Sequence, residues 1–272
     1  MAAASVTPSP SPSPVPAVSR VVEAEDPPPI SGYAAAVIEA PCGASQYEIN
    51  ASLRLAPASL VKMMTAVVAL ERAEADEIVE IRIDGGEVSL AADATAMGLR
   101  PGDRLPLIDL VYGLLLRSGI DAALVIAEHI AGNEDAFVAL MNEKAAALGL
   151  TDTTFASVSG LDQADQWMSA LDAALLGQEL LKDPLLAEVV ATKKYQPAWT
   201  RGPIENLNLL LNGYPGAVGV KTGFTEEAGQ TFVAAADRDG RLLITSVLHS
   251  EDLYVDAGAL LEWAFANTVP AC

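Results

Sequence analysis

Residues 217–248 read AVGVKTGFTEEAGQTFVAAADRDGRLLITSVL, and three short β-like runs sit within them: Ala217 to Lys221, Gln230 to Asp237 and Arg241 to Leu248. Apolar runs of this length, bounded by turn residues, fit strands. Arg238-Asp239-Gly240 between the last two is a good hairpin turn. A matching pair lies near the other end of the chain. Tyr33 to Glu39 (YAAAVIE) reads as a buried strand, PCGA at 41–44 as a turn, and Gln46 to Leu55 as its hairpin partner.

What separates the two strand groups is mostly helical. Pro57 introduces a breaker-free stretch, Ala58 through Ala73 (ASLVKMMTAVVALERA), whose apolar residues recur at helical spacing. From about 84 to 205, Pro106 starts a helix (PLIDLVYGLLL), Asp121 a second (DAALVIAEHIA) and Asn133 a third, with Gly149 as its C-terminal cap. A fourth runs from about Ala170 to Lys182 and is expected to stop before Asp183-Pro184. Leu253 to Ala266 is amphipathic. Strands at both ends and helices between them predict an α/β (α+β) fold: one antiparallel sheet built from both chain ends, flanked by helices, with an inserted helical lobe. No internal repeat is present.

Composition narrows the function. Of 272 residues, 51% are apolar, enough for a sizeable core. The 36 acidic against 16 basic residues give a formal charge of −20, which opposes binding to nucleic acid or to an anionic membrane surface. His129 and His249 lie far apart and the cysteines have no CxxC spacing, so no metal site is expected. Cys42 and Cys272 are expected to be free thiols, since a pairing cannot be deduced from sequence and chain ends are usually mobile. Residues 1 to about 30, which contain the tract TPSPSPSPVP at 7–16, read as a Pro/Ser-rich disordered linker before a single domain at 31–272. No signal peptide is visible, and no uncharged apolar stretch reaches the roughly 20 residues that span a bilayer.

Two short motifs could carry chemistry. In PASLVKMM, Ser59 and Lys62 stand three apart, so on a helix the hydroxyl and the amine share a face. A serine needs a neighbour to take its proton, and a lysine desolvated by Leu60, Val61, Met63, Met64 and Val67 can do so. In GVKTGFT, Lys221 and Thr222 follow a strand and offer a cation and a hydroxyl suited to a carboxylate, while Gly223 admits close approach of a backbone. Each motif alone is commonplace, an N-cap serine with a snorkelling lysine or a solvated edge-strand lysine. Together, in this order, they match the SxxK and KTG pieces of the penicillin-recognising enzymes.

The chain resembles the low-molecular-mass penicillin-binding proteins, the serine-type D-alanyl-D-alanine carboxypeptidases. The resemblance covers about residues 31–266 and rests also on LGLRPGDRLPLIDLVYGLLLRSGIDAA, NEKAAALGLTDTTF, SGLD, NLNLLLNGYPGAVGVKTGFTEEAGQTFVAAA and LLEWAF. It implies a β-lactamase/transpeptidase-like fold and an acyl-enzyme on Ser59, with Lys62 as general base and Ser118 relaying a proton to the departing D-alanine. Lys221 and Thr222 would hold the substrate carboxylate, Gly223 would let the substrate approach, and the N–H groups of Ser59 and Phe224 would form the oxyanion hole. The implied substrates are peptidoglycan stem peptides, the implied inhibitors β-lactams, the implied location extracytoplasmic, and no cofactor is called for.

One position departs from that family. Its second motif is Ser-x-Asn, yet residues 117–123 read RSGIDAA and place Ile120 where the asparagine belongs. The missing carboxamide would bond both Lys62 and the substrate amide. Losing a placed polar group of this kind costs roughly 10²–10³ in rate. Impaired activity is therefore an expectation alongside a working carboxypeptidase, and a catalytically weak penicillin- or peptidoglycan-binding module is the alternative. A β-lactamase is less favoured, because residues 145–175 contain no glutamate to serve as a deacylating base.

Overall fold

A computed structural model describes residues 26–199 and 201–272; the Pro/Ser tract lies outside them. The chain opens with strands β1 (Ala34–Ala40) and β2 (Ala44–Ile49). A single 3-10 turn at Ala58–Leu60 leads into helix α1 (Val61–Arg72). Then come β3 (Ile78–Glu80), α2 (Gly85–Ala92), β4 (Arg104–Pro106), α3 (Leu107–Leu116), α4 (Ile120–Ala131) and α5 (Glu134–Leu148). Helices α6 (Ala170–Lys182) and α7 (Pro184–Ala191) follow, with the short strands β5 (Lys194–Tyr195) and β6 (Ile204–Glu205). Strands β7 (Ala217–Thr225), β8 (Gly229–Arg238) and β9 (Arg241–Ser250) precede the closing helix α8 (Leu253–Asn267).

The main sheet has the order β2-β1-β9-β8-β7, all antiparallel, so the N-terminal hairpin docks through β1 on β9. This is the sheet completed by both chain ends that the sequence leads one to expect. Its period of two feeds two cores. Ala34, Ala36 and Ile38 of β1, with Val233, Ala235 and Ile244, face the helical lobe. Ala35 and Val37, with Phe232, Leu243 and Val247, face α8. Helix α1 is buried from Val61 through Ala69 and lies inside the larger core, as a helix apolar all round must. Burying each of its larger side chains contributes about 1.5–3 kcal/mol.

Two local expectations need correction, and one that holds needs an addition. The stretch from Ala58 is not one α-helix: Ser59 sits on the 3-10 turn before α1. Asp183-Pro184 ends α6 but also starts α7, because Asp183 Oδ1 accepts from the N–H groups of Leu185 and Leu186 while proline occupies the first turn, where its missing N–H costs nothing. The cysteines are not free thiols. Cys42 and Cys272 form a disulfide with Cα atoms 5.7 Å apart, leaving no free cysteine. Arg241 explains the meeting: its guanidinium bonds the Glu39 carboxylate on β1 and the Thr268 carbonyl after α8, so the final residues are drawn toward the β1–β2 turn.

Candidate active site

The cleft at the sheet edge encloses about 740 Å3 and is lined by Ser59 and Lys62, by Ser118 and Ile120, and by Thr222 and Gly223 of β7. Three structural units therefore meet there: the turn before α1, the α3–α4 loop and the edge strand. Each is fixed locally. Pro57 accepts a hydrogen bond from Thr231 on β8, anchoring the turn that carries Ser59. Gly223 packs so tightly that a Cβ there would lie 2.9 Å from Ser59 N and 2.5 Å from Thr231 Oγ1, so only glycine lets β7 reach the turn.

Strained backbone lies at Ser118 and immediately before Ser59. Ala58, just before Ser59, has φ 49°, and Ser118 has φ 61°. Non-glycine residues in the left-handed region cost about 1–3 kcal/mol each and persist where the surroundings over-determine them.

Lys62 Nζ lies 3.0 Å from Ser59 Oγ and donates to the main-chain carbonyl of Ser159. The ammonium form is strongly disfavoured. Burial pushes the Lys62 amine well below its ordinary range and the cation of Lys221 pushes the same way, against an opposing pull from Asp121. A neutral amine has one lone pair, and with an N–H committed to Ser159 that lone pair is available to the Ser59 hydroxyl. The carboxamide that Ile120 fails to supply is thus not the sole acceptor Lys62 could use, since Ser159 O provides one.

On the opposite side, Lys221 Nζ donates to Ser118 Oγ at 3.1 Å and to Thr222 O at 2.7 Å. Burial alone lowers Lys221 to about 7. An incoming carboxylate would restore its positive charge. Ser118 accepts from Lys221 with its oxygen, which leaves its own proton to donate into the cleft. Ile120, 3% exposed, presents hydrocarbon to the same cavity as the first residue of α4. Phe224 stands 66% exposed at the mouth.

All seven residues singled out from the sequence (Ser59, Lys62, Ser118, Lys221, Thr222, Gly223 and Phe224) are gathered here, although the chain separates Ser59 from Lys221 by most of its folded length. Sequence reasoning missed Ser159, whose contribution is a main-chain oxygen with no residue-type signature. It also missed Thr95 and Tyr254 in the lining. Among the described residues, no cluster of three or more His, Cys, Asp or Glu could hold a metal ion.

Comparison with known proteins places this geometry. The model of the peptidase S11 family, D-alanyl-D-alanine carboxypeptidase, matches residues 21–252. The chain belongs to this family. As an S11 peptidase it is 36% identical over 233 residues to the D-alanyl-D-alanine carboxypeptidase DacC of Escherichia coli, covering 80% of this chain and 57% of that protein. It is 31% identical over 247 residues to DacF of Bacillus subtilis, covering 86% and 62%. The chain thus spans about three fifths of the length of these curated relatives. Two solved structures are matched nearly end to end. The Streptomyces K15 DD-transpeptidase superposes with a TM-score of 0.84 at 30% identity, covering 89% of this chain and 100% of that one. The D-alanyl-D-alanine carboxypeptidase of Mycobacterium tuberculosis gives 0.82 at 32%, covering 92% and 97%. The S11 family also accounts for the fold, an antiparallel sheet closed by both chain ends around a helical lobe.

Proposed function

We propose that the protein is a serine-type D-alanyl-D-alanine carboxypeptidase that removes the terminal D-alanine from peptidoglycan stem peptides. The observation that carries the reading is the placement of Lys62 Nζ 3.0 Å from Ser59 Oγ, with the cation pushed off that lysine by burial and by Lys221. Ser59 Oγ attacks the carbonyl of the D-Ala-D-Ala bond and gives its proton to Lys62. Ser118, held by Lys221, passes a proton to the departing amine, and water then cleaves the ester. Lys221 and Thr222 receive the substrate carboxylate, a role that suits a buried amine with few partners other than hydroxyl and carbonyl oxygens. β-Lactams would acylate the same serine.

The Cys42–Cys272 bridge supports an extracytoplasmic location, since such bonds persist in oxidising compartments. Among the described residues no helix is long and apolar enough to cross a membrane. Ile120 favours a second reading, a module that binds penicillin or peptidoglycan with weak turnover.

Incubation with a fluorescent penicillin, intact-mass analysis and an assay of D-alanine release from a D-Ala-D-Ala peptide test both, with Ser59→Ala as control. Labelling with D-alanine release supports the carboxypeptidase; labelling without release supports the second reading. If the wild-type protein neither labels nor releases D-alanine, the enzyme reading is lost.

A further inference from the structure

The mechanism makes no use of the buried carboxylate that follows Ile120. Asp121, fully buried in the first turn of α4, accepts four main-chain N–H bonds, all at 2.9 Å: Oδ1 from Met97 and Ala122, Oδ2 from Gly98 and Leu99. An ionised carboxylate is acceptor-only, so it suits a ring of donors that offers nothing to receive. The site is shaped to admit it: a Cβ on Gly85 would fall 2.3 Å from Oδ2 and one on Gly119 2.9 Å from Oδ1. The segment it captures, 95–99, runs back along the serine loop. Thr95 Oγ1 donates to Ser118 O at 3.0 Å, and Ile120 N donates to Thr95 O at 2.9 Å. Ser118 is thereby bracketed on its main chain by Thr95, while Asp121 fixes the strand of backbone that carries Thr95.

We propose that Asp121 is a positioning residue for acylation, which locks the 95–99 segment against the Ser118 loop and supplies a counter-charge to the buried Lys62. The inference rests on the carboxypeptidase reading of the site. Two buried amines meet in this cleft, and Asp121 is the carboxylate whose field acts on Lys62 in opposition to Lys221. Buried and half-buried ionisable groups on the other elements packed against α1 have partners of their own, and His129 of α4 bonds Glu77. Asp109 of α3 accepts from Tyr195 and Ala198, Asp172 of α6 from Thr153 and Asp152, and Glu134 of α5 from Val158. Lys144 of α5 pairs with Glu71 and with Glu179 of α6.

The conservative change Asp121→Asn keeps the shape, removes the charge and turns an NH2 group against two main-chain donors. Its expected effects separate positioning from mere support. Without the counter-charge Lys62 loses its proton at lower pH, so the acid limb of the rate of Ser59 acylation by fluorescent penicillin moves down by about half a pH unit or more. The limiting rate falls by roughly 10- to 100-fold as Ser118 loses its bracket. A structural role alone would lower the rate and leave the limb in place. A folded Asp121→Asn protein, verified by circular dichroism, whose acid limb coincides with wild type overturns the proposal. If that variant does not fold, Thr95→Val decides: it removes the bond to Ser118 O, is expected to slow acylation several-fold, and a wild-type rate overturns the bracket. A wild-type protein that fails to label at all would instead sink the carboxypeptidase reading beneath it.

Discussion

Ser118 Oγ lies 3.1 Å from Lys221 Nζ across 103 residues of sequence, and this bond joins the helical lobe to the edge of the sheet. The cleft is defined by it. Ser118 is positioned by a loop between α3 and α4, Lys221 by the pairing of β7 with β8 at Lys221↔Val233. Any motion of lobe against sheet changes the distance between the proposed proton donor, Ser118, and the proposed carboxylate-binding group, Lys221.

Replacing Ser118 with alanine removes the proposed proton relay but leaves Lys221 bonded to Thr222 O. Steady-state kinetics on a D-Ala-D-Ala peptide should then show kcat reduced by roughly 10²–10³ with KM little changed, as for loss of an interaction made in the transition state. A parallel rise in KM with kcat intact would assign Ser118 to binding instead.

Ile120→Asn tests the departure from the family directly. Asparagine at the start of α4 would face the cavity now lined by the isoleucine, within the lining that includes Ser59 and Lys62. Its oxygen adds an acceptor for Lys62 and its nitrogen a donor for the substrate amide, so acylation by a fluorescent penicillin should speed up by roughly tenfold or more. A site already complete with Ser159 O as the lysine's acceptor would give an unchanged rate. The same change buries a carboxamide where hydrocarbon packs, and should cost about 1–2 kcal/mol in a denaturant melt.

How far the sequence announces this site depends on which kind of group is involved. Ser59, Lys62 and Lys221 are legible because the proposed chemistry needs particular side chains at particular spacings. The sheet is legible because β1, β8 and β9 are short apolar runs bounded by turn residues, and they are apolar throughout because each serves two cores at once. Ser159 is not, since any residue has a carbonyl. The turn beneath Ser59 reads as α-helix because the apolar spacing continues through it; its 3-10 form follows from the tertiary contacts of Pro57 and Gly223. Cys272 gives no hint of a partner 230 residues away, for the pairing is enforced by Arg241 bridging Glu39 and Thr268 rather than by local pattern.

The disulfide should be a staple and not a part of the chemistry. It lies at the β1–β2 turn, toward the edge of the sheet opposite β7, and closes a loop spanning 230 residues. Cys42→Ser with Cys272→Ser is expected to lower stability by about 2–4 kcal/mol, read as a fall in denaturation midpoint, while the rate of penicillin labelling at low temperature stays at the wild-type value. Loss of labelling in a folded double variant would instead tie the tail to the site.

Lys221 predicts a pH-dependent trade between stability and function. Its folded pKa of about 7 lies below the ordinary lysine value of 10.5. Below pH 7 the amine is charged in both folded and unfolded chains, so the full cost of burying a cation is present; between pH 7 and 10.5 the unfolded chain binds more protons and stability rises with pH. Lys221→Met, close in volume and without charge, should therefore raise Tm most near pH 6 and progressively less toward pH 10, while abolishing binding of the substrate carboxylate. Calorimetric scans of both proteins across that range check the sign: a gain in Tm that is flat with pH would mean that the lysine is not titrating in the fold, and a gain that grows with pH would reverse the assignment of its burial as the dominant cost.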